Sequence, residues 1–345
     1  MMLGTHTLPF ISKPKFLTPK HEEFLDDMVD FFAGLRGGHI ARHGYVGKGG
    51  QYYSRWLAEN HIYRSQITLA EIELITAHID VLANICGETV NFVEAGFGSV
   101  NAFLNKTYPL LRKITQKTKK PLQYKIADVS EDSFDTARKY IVQQELPFKP
   151  SFIQCNFFDG LPELEKDSTI YCAGLTFTNI PADAIHRRTE DILTDVLFRF
   201  SRTLKKGGTL IFSYADDSGV GLDGKEIKAF YEHPLIHSYQ LSIFDRVAQE
   251  LPVDRRYEAK NFYEIEHTWH PENYVLTRHV STKRPMRFDI GGYELIIPKG
   301  FKGYMANNFR FPDDMVTTSA KKAGFNDSHI LRLPNSSLRL VALKI

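Results

Sequence analysis

The chain has 345 residues, 43% hydrophobic and 24% charged, which excludes a disordered protein and provides for a sizeable folded core. Lysine and arginine number 43 against 41 aspartates and glutamates, a formal net charge of +2, which excludes a nucleic-acid binder working through bulk positive charge. Three cysteines without C-x-x-C spacing, Cys86, Cys155 and Cys172, exclude a disulfide framework or a thiolate metal site, and no apolar run approaches the ~18 residues of a membrane span. The first residues lack a basic segment followed by an apolar one, so no secretory leader is expected and a cytoplasmic location is. At about 100–200 residues per domain the length suggests two domains, or one large domain with an insertion.

The first 20 residues carry Pro9, Pro14 and Pro19 and read as an extended arm. Thr18 is placed to cap a helix that begins with Pro19. Phe24, Met28, Phe31 and Leu35 follow at helical spacing, and Gly37-Gly38 ends that helix. The stretch HGYVGKGGQYY (43–53) is glycine-rich and is expected as a loop, whose Tyr52 and Tyr53 serve either as part of a lid or as surface anchors. Lys48 has no Ser or Thr after it and no strand before it, so this is not a phosphate loop. Thr68 and Glu71 have capping-box spacing, and Leu69, Ile72, Ile75, Ile79 and Leu82 form one helical face.

From Val90 the pattern changes to short buried strands alternating with helices. Strands are expected at VNFVEA, 122–128, 151–157 and 168–175, and a Gly-Gly turn with a fifth strand at 204–215. The helices between them include one kinked at Pro109, one over 130–144 capped by Ser130, and one over 183–203 with Ile185, Ile192, Val196 and Phe200 on its apolar side. This alternation predicts an α/β fold, a mostly parallel Rossmann-like sheet with crossover helices. A helix over 235–251 follows, and then period-2 patterning from 257 to 311, which predicts an antiparallel meander. A helix after Asp313 and two strands, HILRL and LRLVALKI, are expected to rejoin the main sheet. The expected organisation is an N-terminal arm and helices (1–65), a core (66–215), an inserted α+β domain (216–311) and a C-terminal return (312–345).

The chemistry is expected where strands end. Glu94-x-Gly96-x-Gly98 lies at a strand-to-helix turn, where glycines permit close backbone approach to a ligand. The acid before the glycines argues for a cationic ligand group there and against a phosphate. Asp128 ends the second strand, where an acid accepts hydrogen bonds from ribose hydroxyls. Asn156 and Phe157 are placed to hold adenine by an amide bond and a stacked ring. Asn179 falls at the C-terminal edge of the fourth strand, in the crevice where open α/β sheets bind ligands. His267 and His270 have H-x-x-H spacing, but on a strand they face opposite sides, and no metal is expected.

These features resemble the class I S-adenosylmethionine-dependent methyltransferases, and in particular the histidine-specific N-alpha-methyltransferases of ergothioneine biosynthesis. The similarity runs from about Thr68 to the C-terminus, through TLAEIELI, FVEAGFGS, ADVSEDSFDTA, CNFFDGLPEL and TFTNIP, and more loosely through 229–252, Trp269 and KGYMANNFRF. The resemblance implies a Rossmann-like class I methyltransferase core with a second α+β substrate-binding domain. It implies S-adenosyl-L-methionine as cofactor, bound by Glu94, Gly96, Gly98, Asp128, Asn156 and Phe157. Asn179 and Tyr231 are then the catalytic, substrate-orienting pair, with Asn308 and Tyr63 also in the substrate pocket.

The departures are informative. The resembling family's imidazole-binding Glu is Ala306 here and its Ser is Asn308; its E-Y-Y-P-T segment reads Arg64 to Thr68, with Tyr63 offset. The amino-acid anchors are kept while the side-chain pocket is rebuilt. The expected function is therefore N-methylation of an amino acid or related small amine other than histidine, with no nucleic-acid or membrane partner. The alternatives are a non-catalytic relative that binds the nucleoside, or a methyltransferase acting on a protein or RNA.

Overall fold

The computed structural model describes residues 19–35, 37–59, 61–118, 121–143, 148–182, 184–216, 224–250, 257–290 and 293–345. The expected extended arm and the Thr18 cap lie outside the described residues.

Five parallel strands, β1 (Asn91–Ala95), β2 (Gln123–Asp128), β3 (Ser151–Gln154), β4 (Ser168–Cys172) and β5 (Thr209–Ala215), build the core. β1, β4 and β5 are buried along their whole length, as strands covered by helices on both faces must be. Successive side chains go to opposite faces. Phe92 packs with Tyr124, Tyr171 and Ile211 on one side, and Val93 and Ala95 pack with Ile170, Cys172 and Phe212 on the other.

The second region supplies β6 (Tyr263–His270), β7 (Val275–Thr282), β8 (Met286–Ile290), β9 (Tyr293–Ile297) and β10 (Lys302–Phe309). The meander divides into a three-stranded sheet, β10-β7-β6, and a β8-β9 hairpin. Helix Pro19–Phe32 and helix Pro234–Glu250 pack against it through Phe24, Phe31, Ile243, Phe244, Val280 and Met305. The N-terminal helix and the inserted segment thus share one apolar cluster. Finally β11 (Asp327–Arg332) and β12 (Leu338–Lys344) return to the core as expected. The seven-stranded order is β11-β12-β5-β4-β1-β2-β3, with β12 antiparallel between β5 and β11. This is a Rossmann-like α/β fold with a mostly parallel, doubly wound sheet. Its order reverses between β1 and β4, which opens a crevice at their C-terminal ends.

Several expected elements differ. The glycine-rich stretch at 43–53 is not a loop. It forms a 3-10 turn, Ile40–Tyr45, and an α-helix, Lys48–Ala58. A Cβ at Gly49 would stand 2.1 Å from the Gly44 carbonyl oxygen and 2.3 Å from Ser242 Oγ, so that glycine serves close helix packing. Leu35 lies beyond the first helix and is exposed. The capping box at Thr68 does not form, because the helix has already begun as a π-helical segment, Arg64–Leu69. Glu71 is instead fully buried, and the chain breaks at His78 into Ala70–Ala77 and Ile79–Cys86. Leu69 is exposed, so the single apolar face from Leu69 to Leu82 is not realised.

In place of a kink at Pro109, the helix widens to a π-helical Phe103–Thr107 just before the proline, which has no N–H to give. The Ser130 hydroxyl caps nothing; the Asp128 carboxylate takes up the Ser130 N–H at 2.9 Å. The helix expected from 183 begins at Thr189, with Glu190 and Asp191 in its first turn and Ile185 exposed ahead of it. β3 and β4 stop three residues short of expectation, and of the residues that follow β3, Asn156 and Phe157 line the crevice. No helix among the described residues is long and apolar enough to cross a membrane.

Candidate active site

A cavity of about 1160 Å³ occupies the crevice, with the core sheet at one end and the second region at the other. The core end is made by strand ends. After β1 the chain turns through Gly96 (φ +82°) and Gly98 (φ +67°), backbone conformations that favour glycine. A Cβ at Gly96 would press within 3.1 Å of Thr176 Cγ2, while one at Gly98 would meet nothing within 4 Å. That open side is where a ligand can lie directly against the backbone. Ser99 then caps the next helix, its hydroxyl accepting from the Ala102 N–H at 3.2 Å.

Asp128 ties this turn to the end of β2. Its Oδ2 accepts from the Phe97 N–H at 3.2 Å and its Oδ1 from the Ser130 N–H. Burial raises its pKa while those backbone bonds pull it down. Asn156 shapes the turn after β3, donating to Asp159 Oδ2 at 2.8 Å and accepting from the Phe158 N–H at 3.3 Å. Phe157, nearly buried, stands beside Gly96. Asn179 follows β4; its Oδ1 accepts from Asn308 Nδ2 at 3.2 Å.

Gly96, Gly98, Asp128, Asn156, Phe157 and Asn179 therefore line one cavity. The other expected residues are placed differently. Glu94 and Tyr63 line a small annex of about 60 Å³ behind the glycine turn. The Glu94 carboxylate accepts from Thr107 Oγ1 at 2.5 Å and from the Tyr124 hydroxyl. Burial pushes its pKa up to about 7 against the pull of those hydroxyls. Asn308 and Tyr231 line neither space. Asn308 is buried, with its Nδ2 on Thr178 Oγ1 and Asn179 and its Oδ1 unpartnered. Tyr231 is buried with its ring stacked on His267 at 5.7 Å and 6.5 Å from the ring of Tyr63.

Sequence reasoning missed two contributors, the Lys106–Glu71 pair and Arg278, and set a third, Tyr53, on a loop. Lys106 donates to Glu71 within the wall of the annex, and Glu71 Oε1 accepts from the Gly174 N–H at 2.7 Å. This buried ion pair couples the helix before the core to the helix after β1 and the turn after β4. Its only trace in the sequence was Glu71, which capping-box spacing explained away. Tyr53, from the stretch expected as a loop, and Arg278, on β7, line the second-region end of the main cavity. No cluster of three or more His, Cys, Asp or Glu able to hold a metal occurs among the described residues.

No family model matches the chain. The uncharacterized protein y4iF of Sinorhizobium fredii is 25% identical over 244 residues, which cover 70% of this chain and 76% of that one. Among solved structures, the chain is similar to an S-adenosylmethionine-dependent methyltransferase from Clostridium acetobutylicum (15% identity, TM-score 0.42, 86% of this chain and 98% of that one). It is also similar to the magnesium protoporphyrin IX methyltransferase of Synechocystis, solved with bound SAH (11% identity, TM-score 0.44, 89% and 99%). A third is DesVI of Streptomyces venezuelae (12% identity, TM-score 0.38, 80% and 92%).

Proposed function

We propose that this protein is an S-adenosylmethionine-dependent N-methyltransferase acting on an amino acid or related small amine other than histidine. The observation that carries this reading is the convergence of Gly96, Gly98, Asp128, Asn156 and Phe157 on one end of a cavity whose other end is walled by Asn179 and the second region. These residues fit the cofactor. The open side of Gly98 admits a ligand against the backbone. Asp128, its orientation fixed by two backbone N–H groups, presents remaining lone pairs to ribose hydroxyls. Asn156 and Phe157 suit a purine edge and face.

When bound, S-adenosylmethionine supplies an electrophilic methyl carbon on a sulfonium, to which a neutral amine adds as the sulfur departs. The chain's own part is alignment and exclusion of water. Asn179, held by Asn308, orients the acceptor from the cavity wall. Ala306 on that wall offers no carboxylate to an imidazole, which disfavours histidine. The partner is a small molecule, with neither nucleic acid nor membrane involved, and the setting is cytoplasmic.

Isothermal titration with S-adenosylmethionine and S-adenosylhomocysteine tests the cofactor, and binding of neither overturns the reading. A mass-spectrometric screen for added methyl groups on free amino acids and amines tests the reaction. Methylation of protein or RNA alone would overturn the acceptor class.

A further inference from the structure

On the second-region side, the cavity wall and the interior behind it carry charge that the chain leaves uncompensated. Arg278, on β7, and Arg310, just after β10, are 6% and 2% exposed. Arg278 Nε and Arg310 Nε and Nη2 have no hydrogen-bond partner. Among the described residues neither guanidinium has a carboxylate partner. Arg278 Nη2 makes only a long bond to the Asn307 carbonyl, at 3.5 Å. Aromatic rings surround both groups instead: Arg278 lies 5.3 Å from the Tyr231 ring centroid and Arg310 5.5 Å from that of Phe230. Arg339, the other buried arginine among the described residues, shows the usual arrangement, with Asp216 at 2.9 Å and Asp313 at 3.3 Å.

An arginine does not escape burial by giving up its proton. An unpaired buried charge is strongly unfavourable, and contacts to ring faces offset only part of that. Both guanidiniums act on the same group, Tyr231, and oppose the upward pull of burial on its pKa. Arg278 reaches the cavity directly. Its cross-strand partner is Ala306, which lines the same cavity. An acid at 306 would pair with Arg278 and close the position to an anion; alanine leaves it open. Arg278 on the cavity wall and Arg310, which is buried and outside the cavity lining, together make two uncompensated positive charges; they favour two negative ones, one more than the carboxylate of an ordinary α-amino acid brings.

We propose that the acceptor is an amine bearing two carboxylates, an acidic amino acid, and that Arg278, with Arg310 acting from behind Tyr231, forms the subsite that selects it. The identity of this ligand as methyl acceptor rests on the methyl-transfer reading; the anion subsite itself does not. Calorimetry and thermal shift, with and without S-adenosylhomocysteine, would compare L-aspartate, L-glutamate and L-2-aminoadipate with L-asparagine and L-glutamine. At least one dicarboxylate should bind, and its neutral amide about 10- to 100-fold more weakly, the worth of charge-assisted hydrogen bonds. Arg278→Met should erase that discrimination while leaving S-adenosylhomocysteine affinity and melting temperature at or above wild type. Ala306→Glu should do the same by supplying the missing acid from within, so the test survives if one variant misfolds.

Equal binding of amide and acid, undiminished discrimination in Arg278→Met, or binding of no dicarboxylate overturns the proposal. Binding of O-phospho-L-serine in place of the dicarboxylates overturns the carboxylate assignment. If dicarboxylates bind and S-adenosylhomocysteine does not, the subsite stands and the methyl-transfer reading falls.

Discussion

Glu71, Glu94 and Asp128 sit at the core end of the site and Arg278 and Arg310 at the second-region end, and the two sets of charges are held in different ways. Each core acid is satisfied from within the chain: Glu71 by Lys106 and the Gly174 N–H, Glu94 by two hydroxyls, Asp128 by two backbone N–H groups. The arginines have aromatic faces and, among the described residues, no acid. The core end is thus organised before any ligand arrives, and in the proposal above the other end is completed by one. A pocket organised at one end and incomplete at the other suits an enzyme that binds a constant donor and selects its acceptor by charge.

The largest test of this contrast is removal of one charge from each end. Lys106→Met strands a fully buried Glu71 and should cost about 3–5 kcal/mol of stability, as broken buried pairs do. Denaturant unfolding should show it as a lower midpoint, with Arg278→Met measured beside it showing no such loss. Equal losses would mean that Arg278 is as well satisfied as Lys106. Asp128→Ala should weaken S-adenosylhomocysteine binding by about 1.5–3 kcal/mol. It should also lower the melting temperature, because the Phe97 and Ser130 N–H groups lose their acceptor. Unchanged affinity in titration would place the ribose elsewhere.

Glu94 gives the comparison a pH axis. Its pKa is about 7 in the folded protein against an ordinary carboxylate value near 4.3 when unfolded. The folded state therefore binds more protons between those values. The resulting stability is fully present below the unfolded pKa and is lost as pH rises through 7. Glu94→Gln removes the titration. The variant should gain on wild type by about 2–3 kcal/mol between pH 5 and pH 8, read from denaturant midpoints at each pH. A constant difference across that range would show that Glu94 stays ionised.

How far the sequence disclosed all this depended on the kind of interaction involved. β1, β4 and β5 were legible because continuous burial favours apolar side chains along most of each strand. The turn at Gly96 and Gly98 was legible because its conformation demands glycine. Gly49 looked like loop chemistry, because a glycine needed for helix contact and one needed for a turn read alike. Glu71 carried two readings, helix cap and buried ion partner, and local spacing favoured the one that was not realised. Arg278 gave no signal, since its role depends on register. β10 has an irregularity between Tyr304 and Ala306 that shifts its pairing, so that Ala306 stands opposite Arg278. One residue of slip reverses the face of every side chain beyond it, and no local pattern announces it.

The smallest expected effects separate two residues that the sequence joined as a pair. Asn179 reaches the cavity and Tyr231 does not. Asn179→Ala removes an orienting amide from the acceptor and should lower kcat/KM about tenfold, one hydrogen bond's worth of alignment. Cofactor affinity and melting temperature should stay near wild type. Tyr231→Phe keeps the ring beneath Arg278 and the stack on His267 and removes only the hydroxyl that the two guanidiniums polarise. Acting through Arg278, it is a positioning residue. Its loss should fall on KM for the acceptor more than on kcat, and by less than tenfold. Tyr231→Leu, which also removes the ring, should add a loss of stability that Phe does not show. If Tyr231→Phe instead lowers kcat as much as Asn179→Ala with KM unchanged, the hydroxyl reaches the acceptor in the working enzyme. The second region would then close further onto the core than the cavity now shows.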